Sequence, residues 1–344
     1  MSGAAAAAGA ADQGRHSTLS EITLVEAVNA ALAHELEADP SVLVLGEDVG
    51  VNGGVFRATA GLYERFGPER VVDTPLAETL IAGMSIGLAA QGMRPVAEIQ
   101  FMGFIYPAVD QLLNHASRLR NRTRGRLSCP MVLRAPCGAG IHAPEHHSES
   151  TESLFAHIPG LRVVVPSSPA RAYGLLLAAI RDPDPVVFLE PTRIYRLVKE
   201  NVRDDGTALP LDVCFVLRDG GDVTLVTWGA ATRETLEAAE RLAQDGVEAE
   251  VIDVATLAPL DMQTILESVE KTGRCVIVHE AARNVGVGAE IAARIADEGL
   301  MSLLAPIKRV TGWDTVVPYA KLEHDYMPRP EAIVAAVRET MEAA

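Results

Sequence analysis

Short β-rich apolar runs alternate with helical stretches almost from start to finish of the chain. Residues 41–46, 94–99 and 131–134 are the first such runs. Residues 162–166 and 185–189 follow, and they bracket a helix that opens at Ser168-Pro169, where Ser caps and Pro occupies the first turn. This alternation is the pattern of a parallel sheet covered by helices. One such series fills residues 19–196. Residues 197–220 are polar and irregular, contain Asp204-Asp205-Gly206 and Pro210, and are read as a linker. The alternation then resumes with strands at 223–227, 249–254 and 275–279 and helices over 232–243, from Asp261, and over 287–296. A second, smaller α/β domain therefore spans 221–340. The Ala/Gly-rich residues 1–18 are read as a disordered tail.

Composition narrows the function classes. The 344 residues are 48% hydrophobic and 22% charged, which suits two ordinary globular cores. Acids outnumber bases 46 to 30 and the net charge is -16, which argues against nucleic acid and for a basic protein partner. No apolar run approaches the roughly 18 residues that span a bilayer. Cys129, Cys137, Cys214 and Cys275 form no C-x-x-C pair, so a reducing, cytoplasmic setting is expected.

Several motifs fall to their local context. His142-Ala143-Pro144-Glu145-His146 spells H-x-x-E-H, but Pro144 breaks the helix that would place both histidines on one face. Gly138-Ala139-Gly140 and Gly286-Val287-Gly288 lack the third glycine of a dinucleotide loop. What remains is a set of polar residues at the carboxyl ends of the strands: Glu47, Glu78, Gln100 and His147. From spacing alone, Glu78 is explained as well by the macrodipole of the helix it opens as by catalysis. His147 lies in a polar loop that is either solvated or functional.

Taken in order, Gly46-Glu47-Asp48-Val49, Asp73-Thr74-Pro75-Leu76-Ala77-Glu78, Ala97-Glu98-Ile99-Gln100-Phe101, His146-His147-Ser148-Glu149-Ser150 and Pro159-Gly160-Leu161-Arg162 resemble the beta chains of pyruvate and branched-chain 2-oxoacid dehydrogenases. The likeness runs from about residue 20 to residue 340. It implies an α/β, parallel-sheet thiamine-diphosphate-binding fold (the pyrimidine-binding domain) followed by a smaller transketolase C-terminal-like α/β domain. It also implies a thiamine diphosphate shared with an alpha subunit that holds Mg²⁺, in an α₂β₂ heterotetramer that serves a lipoylated acyltransferase core.

By the same resemblance, Glu78 holds the pyrimidine ring nitrogen and His147 serves the lipoyl group, with His146 beside it. Glu47 and Gln100 lie near the cofactor, and Leu76 and Phe104 help provide an apolar pocket for Glu78, Phe104 by stacking on the pyrimidine. A structural K⁺ takes the backbone carbonyls of Met131, Val132, Ala179, Asp182 and Asp184. Pyruvate is the expected substrate, ahead of branched-chain 2-oxoacids and acetoin. Two other readings are a transketolase-like ketol transferase and a noncatalytic assembly subunit of the same fold.

Overall fold

The computed structural model describes residues 19–343. The tail expected at 1–18 lies outside them. In the first half, β1 (Leu19–Thr23), α1 (Leu24–Ala38), β2 (Val42–Gly46), α2 (Leu62–Phe66), β3 (Val71–Asp73), α3 (Glu78–Ala90) and β4 (Arg94–Glu98) follow one another. They are succeeded by α4 (Tyr106–Asn114), α5 (Leu119–Arg122), β5 (Val132–Cys137), α6 (Glu152–Ala156), β6 (Arg162–Val164), α7 (Pro169–Arg181) and β7 (Val186–Pro191).

The second half holds β8 (Lys199–Arg203), β9 (Phe215–Arg218), β10 (Val223–Thr227), α8 (Ala231–Gln244), β11 (Ala249–Asp253), β12 (Thr256–Ala258) and α9 (Met262–Thr272). It continues through β13 (Cys275–Ala282), α10 (Val287–Glu298), β14 (Lys308–Gly312), α11 (Ala320–Tyr326) and α12 (Pro330–Glu342).

The first domain is a seven-stranded sheet in the order β12-β6-β7-β5-β4-β2-β3. Within it β2, β3, β4, β5, β6 and β7 run parallel, and every residue of β2 is buried because helices cover both faces. Successive side chains of β2 point to opposite faces, as the two-residue period of a strand requires. Val42 and Val44 join α1 and α7 in one core. Leu43 and Leu45 join α3 and α4 in the other. The expected start of α7 is present: Ser168 caps it, accepting from the Arg171 N–H, and Pro169 occupies the first turn.

The stretch 197–220, expected to be irregular, contains two strands. β8 pairs antiparallel with β1, and β9 pairs antiparallel with β11. The second sheet has the order β14-β13-β10-β11-β9. A further departure is β12, which leaves the second domain's own sheet and lies antiparallel against β6 at the edge of the first. The two domains are thereby stitched by backbone pairing as well as by side chains.

One charge group is sealed inside the first sheet. Arg134 on β5 donates to Glu98 on β4 at 2.8 Å and to Glu190 on β7 at 2.6 and 2.9 Å, and the Tyr195 hydroxyl donates to Glu190 as well. Flanking negative charge holds the buried guanidinium firmly in its charged form.

Candidate active site

The strand order locates the cleft. The chain leaves β2 toward β3 on one side and leaves β4 toward β5 on the other, although β2 and β4 are neighbours. That is a topological switch point, and ligands of open parallel sheets bind in the crevice beyond the strand ends there. Glu47 directly follows β2 and Gln100 follows β4, so these two residues flank the crevice. Glu78 opens α3, the helix that crosses from β3 to β4, so its carboxyl sits at the positive end of a 13-residue helix. Burial raises the pKa of Glu47, and the negative charges of Asp48 and Glu78 raise it further, which places two carboxyl groups within electrostatic reach of each other.

An aromatic cluster forms the next wall. Phe101 stands edge-on to His147 with ring centroids 4.2 Å apart, and Phe104 is 5.2 Å from the same imidazole. His146 packs 4.2 Å from His147 and 5.7 Å from Phe104. Phe56 extends the chain of rings from Phe101, at 5.3 Å, back to Tyr195, at 5.2 Å. Desolvation by these neighbours lowers the pKa of His147, His146 lowers it again, and Glu145 opposes the shift. The imidazole is therefore neutral at pH 7, a state that accepts as well as donates a proton.

The loop that carries the histidines runs from β5 to α6 and contains one 3-10 turn, Glu145–His147. The stretch that spells H-x-x-E-H is thus no α-helix. Among the described residues, no group of three or more His, Cys, Asp or Glu side chains is arranged to hold a metal ion.

Leu76 is 72% exposed on this chain, while Phe104 is half-buried against the histidines. Leu80 and Met84, four residues apart on α3 and so on one face, are 46% and 37% exposed, and Leu76 precedes the helix. Sequence reasoning did not single out Phe101, Glu149 or Tyr106. Glu149 accepts from the Tyr106 hydroxyl, and burial raises its pKa. Phe101 entered the sequence reading only as the last residue of the Ala97–Phe101 motif.

The residues expected to hold K⁺ lie at the opposite, amino-terminal edge of the sheet. There the segments around Met131 and Asp182 run side by side: Met131 O accepts from the Val186 N–H at 3.0 Å, and the Cys129 N–H donates to Pro183 O at 3.2 Å. Ala179 O accepts from the Asp182 N–H at 3.3 Å, and Asp182 O accepts from the Arg94 guanidinium at 3.2 Å. The carbonyls of Met131, Ala179 and Asp182 each keep a second lone pair.

Comparison with known proteins is decisive at this point. Residues 20–198 match the transketolase pyrimidine-binding domain, and residues 214–333 match the transketolase C-terminal domain. The beta subunit of the pyruvate dehydrogenase E1 component from Acholeplasma laidlawii is 49% identical over 94% of this chain and 98% of its own length. The 2-oxoisovalerate dehydrogenase beta subunit of Bacillus subtilis is 48% identical over 94% of this chain and all of its own length. The chain belongs to the family of 2-oxoacid dehydrogenase E1 beta subunits. Its fold also matches a solved split-gene transketolase described as an inactive beta4 tetramer, with a TM-score of 0.78 and 25% identity, covering 94% of this chain and 99% of that one.

Proposed function

We propose that this chain supplies the pyrimidine half of a thiamine diphosphate site in a pyruvate dehydrogenase, and that an alpha subunit supplies the diphosphate and Mg²⁺ half within an α₂β₂ heterotetramer. The observation that carries the reading is three exposed apolar residues around Glu78, Leu76 just before α3 and Leu80 and Met84 on it. An apolar patch at the mouth of a polar crevice is the mark of a surface that another protein covers. The residues present suit the pyrimidine ring. Glu78 offers a carboxyl to a ring nitrogen, Gln100 an amide to polar edges, and Phe104 an apolar ring to the aromatic face. Glu47 lies within electrostatic reach of Glu78, whose charge helps to raise the pKa of Glu47.

The bound cofactor supplies the nucleophile and the electron sink that decarboxylation of a 2-oxoacid needs. This chain's part is to place protons. A partner seated on Leu76 and Leu80 excludes water from Glu78, and desolvation favours the protonated carboxyl that donates to a ring nitrogen. Neutral His147, on the aromatic wall, handles the proton of the lipoyl group when the acyl group leaves for the acyltransferase core. A second reading, with 2-oxoisovalerate as the substrate, is favoured by the 48% identity to a subunit of that name. Among the described residues, no helix is long and apolar enough to cross a membrane.

The test is to combine the chain with its alpha-type partner and assay dye reduction with thiamine diphosphate and Mg²⁺ across pyruvate, 2-oxoisovalerate and acetoin. Turnover arises only in the mixture, and pyruvate is preferred. Glu78→Gln lowers it at least about 100-fold, and near-normal turnover by that variant overturns the mechanism. For K⁺, replacement by a bulky organic cation is expected to lower the melting temperature, and an unchanged value removes the site.

A further inference from the structure

The root of the histidine loop is held by the other domain. The Gly138 N–H donates to Glu149 O at 2.9 Å and closes the loop just past β5. Within it the backbone enters the left-handed region at Gly138 (φ +87), Gly140 (φ +97) and His142 (φ +60). Such alternation aims nearby N–H groups at one concavity, which takes an anion. Two carboxylates fill it. Glu280 on β13 accepts from the Ala139 N–H, and Glu323 on α11, 1% exposed, accepts from the Gly140 N–H at 2.6 Å and the His142 N–H at 3.1 Å.

Both acids belong to the second domain, more than 130 residues further along the chain than the loop they hold. The cradle is itself braced. Arg193 donates to Glu234 at 2.5 and 3.0 Å and lies 3.8 Å from Glu280. A Cβ at Gly138 would stand 2.8 Å from Glu280 Oε1, and one at Gly140 would overlap the Arg193 side chain. The backbone approaches this closely only because both positions are glycine. At its far end the same loop sets His146 and His147 against Phe101 and Phe104.

We propose that Glu323, with Glu280, is a positioning residue for His147: the second domain fixes, through three backbone N–H groups, where the histidine loop stands against its aromatic wall. The inference rests on the reading of His147 as the group that serves lipoyl acylation. Three hydrogen bonds from backbone amides to side chains buried in the other domain restrict the loop more than solvent contacts would. Glu323→Gln keeps the size of the side chain but turns an NH₂ donor toward one of the loop N–H groups, so one of the two bonds is lost.

The experiment uses the assembled enzyme and follows two half-reactions, 2-oxoacid decarboxylation coupled to a dye and reductive acylation of a lipoylated domain. Glu323→Gln and, as a second and independent variant, Glu280→Gln are expected to lower the kcat of acylation about tenfold more than that of decarboxylation, because a misplaced group costs the step that uses it. The KM for the 2-oxoacid stays at its wild-type value. His147→Ala run in parallel separates the two layers of the argument. If it abolishes acylation while both glutamine variants retain acylation or depress both half-reactions by one factor, the positioning role is wrong and the reading of His147 stands. If His147→Ala acylates normally, that reading fails and the positioning role falls with it.

Discussion

The imidazole of His147 meets the ring edge of Phe101 with centroids 4.2 Å apart and interplanar angle 72°. This contact removes water from a titratable group, and burial is the leading cause of its lowered pKa, starting from an ordinary value of 6.5. The acid limb of the pH profile for lipoyl acylation is therefore expected below pH 6.5. Phe101→Ala readmits water, stabilises the imidazolium and moves that limb upward. A limb that stays in place when Phe101 is removed would show that His147 is not the group being titrated.

Gly103 faces the same loop from below. A Cβ there would overlap the carbonyl oxygen of His146, a backbone atom with no freedom to rotate away. Gly103→Ala therefore pushes the histidine turn off Phe104, at a cost of about 1–3 kcal/mol typical of overpacking. Acylation is expected to fall much more than dye-linked decarboxylation, and kinetics of the two half-reactions check it.

How much of this was legible in the sequence depends on whether the signal was local. β2, β4, β5, β10, β11 and β13 are buried on both faces and their β-rich runs read directly as parallel strands, and Ser168-Pro169 announced α7. β8 was not legible, because Val202 is its only buried residue and its partner β1 lies far away in sequence. β12 has three residues and joins a sheet the pattern assigned to the other domain.

Glu47, Gln100 and Glu78 were expected at strand and helix ends, and the structure places them there. Phe101 and the cradle of Glu280 and Glu323 were not legible, because their roles exist only through contacts between distant segments. Leu76, expected to help line a pocket, is exposed on this chain, and an apolar run in the sequence does not tell burial within a chain from burial against another protein.

Arg134 sits between Glu98 and Glu190, and it and both carboxylates are buried. Removing the cation strands two negative charges in a low-dielectric sheet. Arg134→Met is expected to destabilise the chain by about 3–5 kcal/mol. Urea unfolding measures the loss, and a variant with the wild-type midpoint would show that the carboxylates find other partners. Replacing all three residues by apolar ones of similar volume is expected to recover much of the loss, because the cost lies in the unpaired charges rather than in the missing bridge.

His279 provides the clearest pH dependence of stability. Its ring stacks on Trp228 with centroids 4.9 Å apart and planes 12° from parallel, and neither ring nitrogen has a hydrogen-bond partner. Burial lowers its pKa from 6.5 to about 4, and the positive charges of Arg309 and Arg283 add to the shift. A base with a depressed folded pKa binds fewer protons folded than unfolded. Its contribution is therefore fully present above pH 6.5, the unfolded value, and is lost as pH falls from there through about 4. At about pH 5 the loss amounts to roughly 2 kcal/mol. His279→Leu, similar in volume and unable to titrate, is expected to flatten the acid limb of the urea midpoint against pH while leaving the value above pH 7 within about 1 kcal/mol. An acid limb as steep as that of the wild type would place the titrating group elsewhere.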